Sequence, residues 1–442
     1  MFEQESYSVK ISDASKFVNM DETHIEEIYE NENITNVGEI YEMEIKKNDE
    51  LEEQKYSLLL SISYALMAII SEAPYFIIIS MADFFKSAFN VSDVMINEFA
   101  VMESIIVIIL CVLLHLIGSY RLKWNLYQPL LTVFVLGILY LVIFFRRDYI
   151  GHKIIIFSSI PLGIILCIAK MTTIKICVLF KRPYCSAYVC GLSLSGFLVF
   201  LLYILGAYVL FPDDENKFCN MFSLFCGTIS VLSIICFLIL FKIYNMPFAK
   251  RLEEKYRDKG LFINKNILAE SFRSLNIIWK YMIAAFLTNF LTYQIYPSIF
   301  PTSIDIQKES KGLLSGVLLF GDSSARLIVH NLSSYFIKIS FLSYSFVKIF
   351  RFTLLPIFVL IVIYKHYILS NLIFLISLAY IFGFTNGLIS NAIFLKLPKV
   401  CNKKNKKEYL QLVPNIVYLS LLLGTTIGCL TSKIYMKILP II

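Results

Sequence analysis

Stretches of about 20 apolar residues recur along the chain from Tyr56 to its C-terminus, separated by short polar segments. A helix of about 20 apolar residues spans the hydrocarbon core of a bilayer. The pattern therefore predicts an all-α polytopic membrane protein with eleven transmembrane helices. Their expected ranges are Tyr56–Ser80, Val94–Gly118, Gln128–Phe145, Lys153–Phe180, Ser186–Phe211, Asn216–Lys242, Leu275–Phe300, Gly312–His330, Tyr344–Tyr364, Ile368–Leu395 and Leu410–Leu439.

Composition supports this class and argues against several chemistries. Only 17% of the 442 residues are charged, whereas a soluble chain would carry about 25%. Most of the ten cysteines lie inside apolar runs and form no metal-binding pattern with the five histidines, so we interpret them as small buried hydrophobes. The sequence contains no nucleotide-binding loop, catalytic triad or zinc motif. We therefore expect neither enzyme activity nor a cofactor or metal.

The charges are distributed unevenly along the chain. The segment Met1–Lys55 holds 16 acidic and 5 basic residues, which is a net charge of −11. Because the whole chain has a net charge of +7, the remaining residues carry +18. We predict that Met1–Lys55 is a largely disordered cytosolic tail. The basic excess lies in loops between spans, which argues for membrane orientation and against nucleic-acid binding.

Two basic loops set the predicted orientation. Ile243–Ser274 and Lys396–Glu408 are rich in lysine and arginine, so the positive-inside rule places both in the cytosol. This choice puts the N-terminus in the cytosol and, with eleven spans, the C-terminus outside. The acidic segment Asp213–Glu215 then falls outside as expected, although Arg146 and Arg147 also fall outside, against the rule.

The long loop Ile243–Ser274 divides the spans into two groups. Residues Tyr56–Lys242 form a predicted six-helix bundle and residues Leu275–Ile442 a predicted five-helix bundle. Two bundles that rock about a central site are typical of major-facilitator-type transporters. We expect a monomer with this arrangement.

The most informative polar residues are Asp322 and Arg326, which lie one helical turn apart within Gly312–His330. A charged side chain in mid-membrane costs at least about 2.5–3.5 kcal/mol on insertion scales. The i to i+4 spacing puts both groups on one face, where they can form an ion pair. Such a pair needs a polar interior, which indicates a transporter or a channel.

Other polar groups fall within the predicted spans. Glu72 and Glu103 are expected to face the cavity or each other. Lys170 can either face the cavity or extend its stem to the cytosolic headgroups. Arg351 can reach the membrane surface or donate to nearby carbonyls, and Pro356 frees one such carbonyl and is expected to kink its helix.

Four ordered motifs in the second half resemble the equilibrative nucleoside transporters, within them the apicomplexan (malaria-parasite) branch. The motifs are the segment Phe286–Pro297, the Asp322-x-x-x-Arg326 pair, the Arg351-x-x-x-x-Pro356 segment and Gly383-Phe-Thr-Asn386-Gly387. The first half is less similar: the Trp-Asn-type motif of the first span is not evident near Ser71–Tyr75, and Lys170 replaces the family's Gln-bearing segment.

The resemblance implies facilitative transport of nucleosides or nucleobases, purines above all, by alternating access. We expect the protein in the plasma membrane rather than in an internal membrane, and the sequence leaves this choice open. It implies a substrate-binding or gating role for Asp322 and Arg326, which we extend to four other polar residues: Tyr293, Gln294, Glu72 and Lys170. Conformational or packing roles are implied for six more: Pro297, Arg351, Pro356, Gly383, Asn386 and Gly387. The divergent first half leaves open a solute carrier for another small metabolite, such as an amino acid, and a non-transporting membrane scaffold is a further alternative.

Overall fold

The computed structural model describes residues 48, 51–89, 95–117, 124–146, 148–179, 184–212, 214, 216–251, 265–297, 299–301, 303–304, 306–339, 341–364, 371–403 and 413–438. Within these residues, eleven helices have 21 or more residues and two are shorter. The helices, numbered here in chain order, are α1 (Ser57–Ser80), α2 (Ala82–Phe89), α3 (Met95–Ile117), α4 (Trp124–Phe145), α5 (Tyr149–Leu179), α6 (Tyr184–Ile204), α7 (Lys217–Tyr244), α8 (Lys265–Ile295), α9 (Lys308–Asn331), α10 (Ser333–Lys338), α11 (Phe341–Tyr364), α12 (Leu372–Lys403) and α13 (Val413–Ile438). A π-helical stretch, Leu205–Leu210, continues α6.

Each predicted span coincides with one of the eleven long helices. Eight helices among the described residues are long and apolar enough to cross a membrane, by length and composition. The other three are α3, α8 and α11, and α11 contains a shorter apolar segment, Ile349–Ile363. The prediction of an all-α polytopic membrane protein is confirmed.

The structure corrects several expected boundaries. The helix α8 begins at Lys265, inside the predicted loop Ile243–Ser274, and ends at Ile295 rather than at Phe300. Proline lacks a backbone donor and disfavours helical geometry in the preceding residue, which accounts for the end of the helix before Pro297. Pro297 therefore follows α8 and does not kink it. The helix α12 extends to Lys403, into the expected loop Lys396–Glu408.

The two short helices had no sequence prediction with which they could be compared. The helices α2 and α10 have eight and six residues, too few for the 20-residue pattern that revealed the spans. Most of the acidic segment Met1–Lys55 lies outside the described residues, so its predicted disorder stays a prediction.

One large apolar core occupies the end of the molecule that carries α2, here called the α2 end. It includes the C-terminal halves of α1, α4, α6 and α11 and the N-terminal halves of α3, α5, α7, α9 and α12, as expected for antiparallel neighbours. Aromatic pairs such as Phe84–Phe218, at 5.4 Å between ring centroids, and Phe300–Phe358, at 4.9 Å, belong to it. This core joins both halves of the chain.

Smaller apolar clusters occupy the opposite end. One joins α8, α12 and α13, a second joins α3, α5 and α13, and a third links Val329 of α9 to Ala392 of α12. Among the described residues, the two ends therefore differ: the α2 end has a continuous apolar core, and the opposite end has separate clusters.

Four helix pairs position the polar residues between these ends. Within the second half, α8 packs along α13 and α9 packs along α12. Between the halves, α6 packs against α9 and α3 packs against α13. These last two contacts bring side chains from distant parts of the sequence into one region.

Candidate functional site

Asp322 stands at the centre of a chain of polar side chains from three helices. Its Oδ2 lies 2.8 Å from Nε of Arg326, one turn later on α9. Its Oδ1 accepts a 2.8 Å hydrogen bond from Nδ2 of Asn386 on α12. The backbone carbonyl of Arg326 also accepts a hydrogen bond from Asn391 of α12. The carboxylate is thus held by one charged and one neutral donor.

The chain of polar side chains continues from Asn386 to a fully buried guanidinium group. The hydroxyl of Thr292 on α8 donates to Oδ1 of Asn386 at 2.7 Å and accepts from Nη2 of Arg351 at 2.6 Å. Arg351 of α11 has no solvent exposure, and its guanidinium carbon lies 4.7 Å from the ring centroid of Phe382. The alternative in which Arg351 reaches the membrane surface is therefore wrong. Hydrogen bonds and the aromatic face compensate its burial in part.

Glycines let α9 and α12 approach closely enough to form this chain. A side-chain carbon at Gly383 would overlap the carbonyl oxygen of Leu318, and one at Gly387 would overlap the carbonyl oxygen of Asp322. Gly321 of α9 lies in the same way against the carbonyl oxygen of Tyr380. Small residues at such interfaces allow backbones into contact. The close approach places Asn386 within hydrogen-bonding distance of Asp322.

A second ion pair comes from the first half of the chain. Nζ of Lys170 on α5 lies 2.5 Å from Oε1 of Glu72 on α1. The same ammonium lies 4.8 Å from the ring centroid of Tyr418 on α13. Lys170 therefore faces the interior and does not extend to the headgroups. The carboxylate of Glu72 also acts electrostatically on Arg326, which brings the two ion pairs into one region.

These four charged side chains differ from Arg351 in their access to solvent. The exposed fraction of the side chain is 12% for Asp322, 26% for Arg326, 13% for Glu72 and 15% for Lys170. Each therefore keeps part of its surface available, whereas Arg351 is fully buried. The two ion pairs can contact a bound molecule, and Arg351 donates a hydrogen bond to Thr292.

Tyrosine hydroxyls connect the two halves beside the ion pairs. The hydroxyl of Tyr293 on α8 is hydrogen-bonded to that of Tyr75 on α1. Gln294 is buried, with its backbone nitrogen close to Gly428 of α13. Pro356 lies inside α11 with an exposed side chain, and Pro297 is buried in the turn after α8. Neither proline belongs to the polar chain.

Sequence reasoning missed Thr292, Tyr75 and Tyr418. A charged residue within an apolar span is costly and therefore conspicuous, but a threonine or tyrosine is not. Thr292 had one available signal: it lies within the span-seven motif next to Tyr293.

Neither a family model nor a curated protein matches the sequence significantly. Solved structures do match the fold. A bacterial homolog of the human lysosomal transporter Spinster, in an inward-facing and occupied conformation, has a TM-score of 0.51 at 14% identity, covering 86% of this chain and 81% of that chain.

Two further solved structures are similar to this chain in fold. A D-xylose–proton symporter has a TM-score of 0.52 at 11% identity, covering 87% of this chain and 97% of that chain. A mutant of the peptide transporter POT in complex with alafosfalin has a TM-score of 0.53 at 11% identity, covering 86% and 88%. At these identities the likeness shows the fold alone. The chain is an all-α polytopic membrane protein with a major-facilitator-like fold.

Proposed function

We propose that the protein transports nucleosides or nucleobases, purines above all, across a membrane by alternating access. The observation that carries the proposal is that two partly exposed ion pairs, Glu72–Lys170 from the first half and Asp322–Arg326 from the second, lie within membrane-spanning helices. Such intramembrane charges are costly and mark solute pathways by default.

The pairing of the charges favours a neutral, polar substrate. Each pair cancels its own charge but still offers donors and acceptors along its open edge. Ribose hydroxyls and the ring nitrogens and carbonyls of a purine match such groups. The motif resemblance to the equilibrative nucleoside transporters supports the substrate class.

Alternating access requires that the α2 end can open. In this conformation the apolar core closes that end, and contacts between halves reinforce it, including the 2.9 Å hydrogen bond from Thr426 of α13 to Ser104 of α3. A substrate shifts such an equilibrium only through different contacts in the two states. We propose that it bridges the two ion pairs and so favours closure.

The proposal includes a membrane orientation and setting. Under the positive-inside rule, the basic residues between α7 and α8 and at the C-terminal end of α12 favour a cytosolic position for these loops, and we propose that the α2 end faces outward. We further propose a monomer in the plasma membrane, with six helices in the first bundle and five in the second.

Uptake in purine-auxotrophic cells tests the proposal. Cells that produce the protein at their surface should take up radiolabelled adenosine, hypoxanthine or adenine saturably, and excess unlabelled purine should compete. Cells that carry the Asp322→Asn, Arg326→Leu double variant at the same surface level are the control. Absence of saturable uptake of every purine and pyrimidine by correctly inserted protein would contradict the proposal.

A second candidate is a carrier for a zwitterionic metabolite such as an amino acid. Glu72 and Lys170 carry opposite charges beside Arg326, an arrangement that can receive an ammonium group and a carboxylate. Competition distinguishes the two: if amino acids and not purines displace a labelled substrate, the second candidate is correct.

A further inference from the structure

Glu103 of α3 is a buried carboxyl group that the proposed substrate path does not use. Its exposed fraction is 5%, and its Oε1 has no hydrogen-bond partner among the described residues. The helix α3 packs against α5 and α13, and the backbone carbonyl of Glu103 faces Gly163 of α5. The side chain is thus enclosed between the two halves of the chain.

Among the residues that the structure describes, no unpaired cation acts on Glu103. The charged groups that act on it are Glu72 and Lys170, and it acts in turn on Tyr75, Tyr293 and Cys429. Lys170 is the only cation in this set, and it is already paired with Glu72 at 2.5 Å while the ring of Tyr418 covers it. An ionised Glu103 would therefore lie unpaired in the membrane, beside a second carboxylate.

We propose that Glu103 is a proton-binding site and that the Glu72–Lys170 pair is its switch. Burial of an unpaired carboxylate costs far more than burial of the neutral acid, so Glu103 holds a proton in the described conformation. When the halves rearrange and Lys170 leaves Glu72, its ammonium can pair with Glu103, which then gives up the proton.

The exchange balances in protons and charge. A proton from water forms the O–H bond on the Glu103 carboxyl group, and the same O–H bond breaks when Lys170 pairs with the carboxylate, which returns one proton to water. Lys170 keeps its own proton throughout and only changes partner. This inference rests on the proposed alternating access and adds that each cycle is linked to one proton.

Infrared spectroscopy of the purified protein tests the proton site without any substrate. At neutral pH the wild type should show the carbonyl stretching band of a protonated carboxylic acid, and Glu103→Gln should lack it. Glu98→Gln is the matched control on α3, because Glu98 is 40% exposed and pairs with Lys433 at 3.2 Å. A band that persists in Glu103→Gln, or is absent from the wild type, would overturn the proposal.

Uptake of radiolabelled hypoxanthine as a function of external pH tests the linkage. As the external pH rises above neutral, wild-type uptake should fall by up to about tenfold per pH unit, the limit for one proton, once Glu103 no longer takes up a proton. Glu103→Gln should be insensitive to pH, and Glu98→Gln should follow the wild type. A flat wild-type profile, or a Glu103→Gln profile like the wild type's, would refute the linkage. If no purine is transported at all, the proposed function fails, and the infrared result alone decides the proton site.

Discussion

At the scale of single residues, the polar chain Arg326–Asp322–Asn386–Thr292–Arg351 is the central feature of the site. The pairing of Asp322 with Arg326 could be predicted from sequence, because it depends only on helical spacing within α9. The link from Asn386 to Asp322 spans 64 positions, and that from Arg351 to Thr292 spans 59. Partners so distant depend on tertiary packing, which one sequence without relatives does not reveal.

Removal of the Arg326 charge should impair transport more than folding. In Arg326→Leu, Asp322 keeps its hydrogen bond from Asn386, so the helix pair should remain assembled. We expect purine uptake to fall at least about tenfold, equivalent to about 1.4 kcal/mol, with surface expression near that of the wild type. Arg326→Lys, which keeps the charge, is the matched control and should retain more activity. Equal loss of uptake and of surface protein would indicate a structural role instead.

Thr292→Val should reduce stability. The substitution removes the hydroxyl that accepts from Arg351 and donates to Asn386, so a buried guanidinium loses its closest acceptor. The expected cost is about 1.5–3 kcal/mol, the range for a hydrogen bond to a charged group. Thermal unfolding of the purified protein measures it as a lower Tm. Thr353→Val is the control, because Thr353 is exposed and bonds only to a carbonyl of its own helix; a similar drop in both variants would contradict the account.

At the scale of helices, the number and order of the long elements could be predicted and their ends could not. Apolar length identified all eleven, because a bilayer requires about 20 apolar residues from each. The end of α8 at Ile295 and the continuation of α12 to Lys403 depend on local geometry and on polar contacts outside that pattern. Gly424 and Gly428 of α13 have the Gly-x-x-x-Gly spacing that is typical of close helix approach, and both lie against carbonyl oxygens of α8.

Gly387→Ala should separate α9 from α12. The added methyl group would overlap the carbonyl oxygen of Asp322, a backbone atom that can move only with its helix. We expect a loss of about 1–3 kcal/mol, typical of overpacking, measured as a lower Tm and reduced surface expression. Gly227→Ala on α7 is the matched control, because no atom lies within 4 Å of the added carbon. The stability of Gly227→Ala should equal or slightly exceed that of the wild type. An equal loss of stability in both variants would show that close packing of α9 and α12 is not the cause of the loss in Gly387→Ala.

At the scale of the whole molecule, the apolar core at the α2 end defines the conformation. It joins the two halves of the chain on one side of the ion pairs, while the opposite end has separate clusters. The sequence could not predict which end is closed, because the same helices serve both states of a rocking carrier. The fold likeness to transporter structures fits the six-plus-five arrangement, which stays a proposal.

A reversible cross-link at the α2 end should stop transport. The hydroxyl oxygens of Ser104 and Thr426 are 2.9 Å apart, so thiol groups at these two positions would lie close to each other. In the double variant Ser104→Cys, Thr426→Cys, a membrane-permeable oxidant should abolish purine uptake, and a reductant should restore it. The single variants, treated in the same way, control for oxidation of the native cysteines. Full uptake by the cross-linked protein would mean that this end need not open.

Counterflow in proteoliposomes tests the central claim, alternating access for purines, most directly. Vesicles that contain the purified protein and a high internal concentration of unlabelled hypoxanthine are placed in a trace of labelled hypoxanthine. Because a carrier exposes one site to each side in turn, we predict a transient accumulation of label above its external concentration, absent from protein-free vesicles. No accumulation with hypoxanthine, adenosine or adenine, from protein shown to be folded and inserted, would contradict the account.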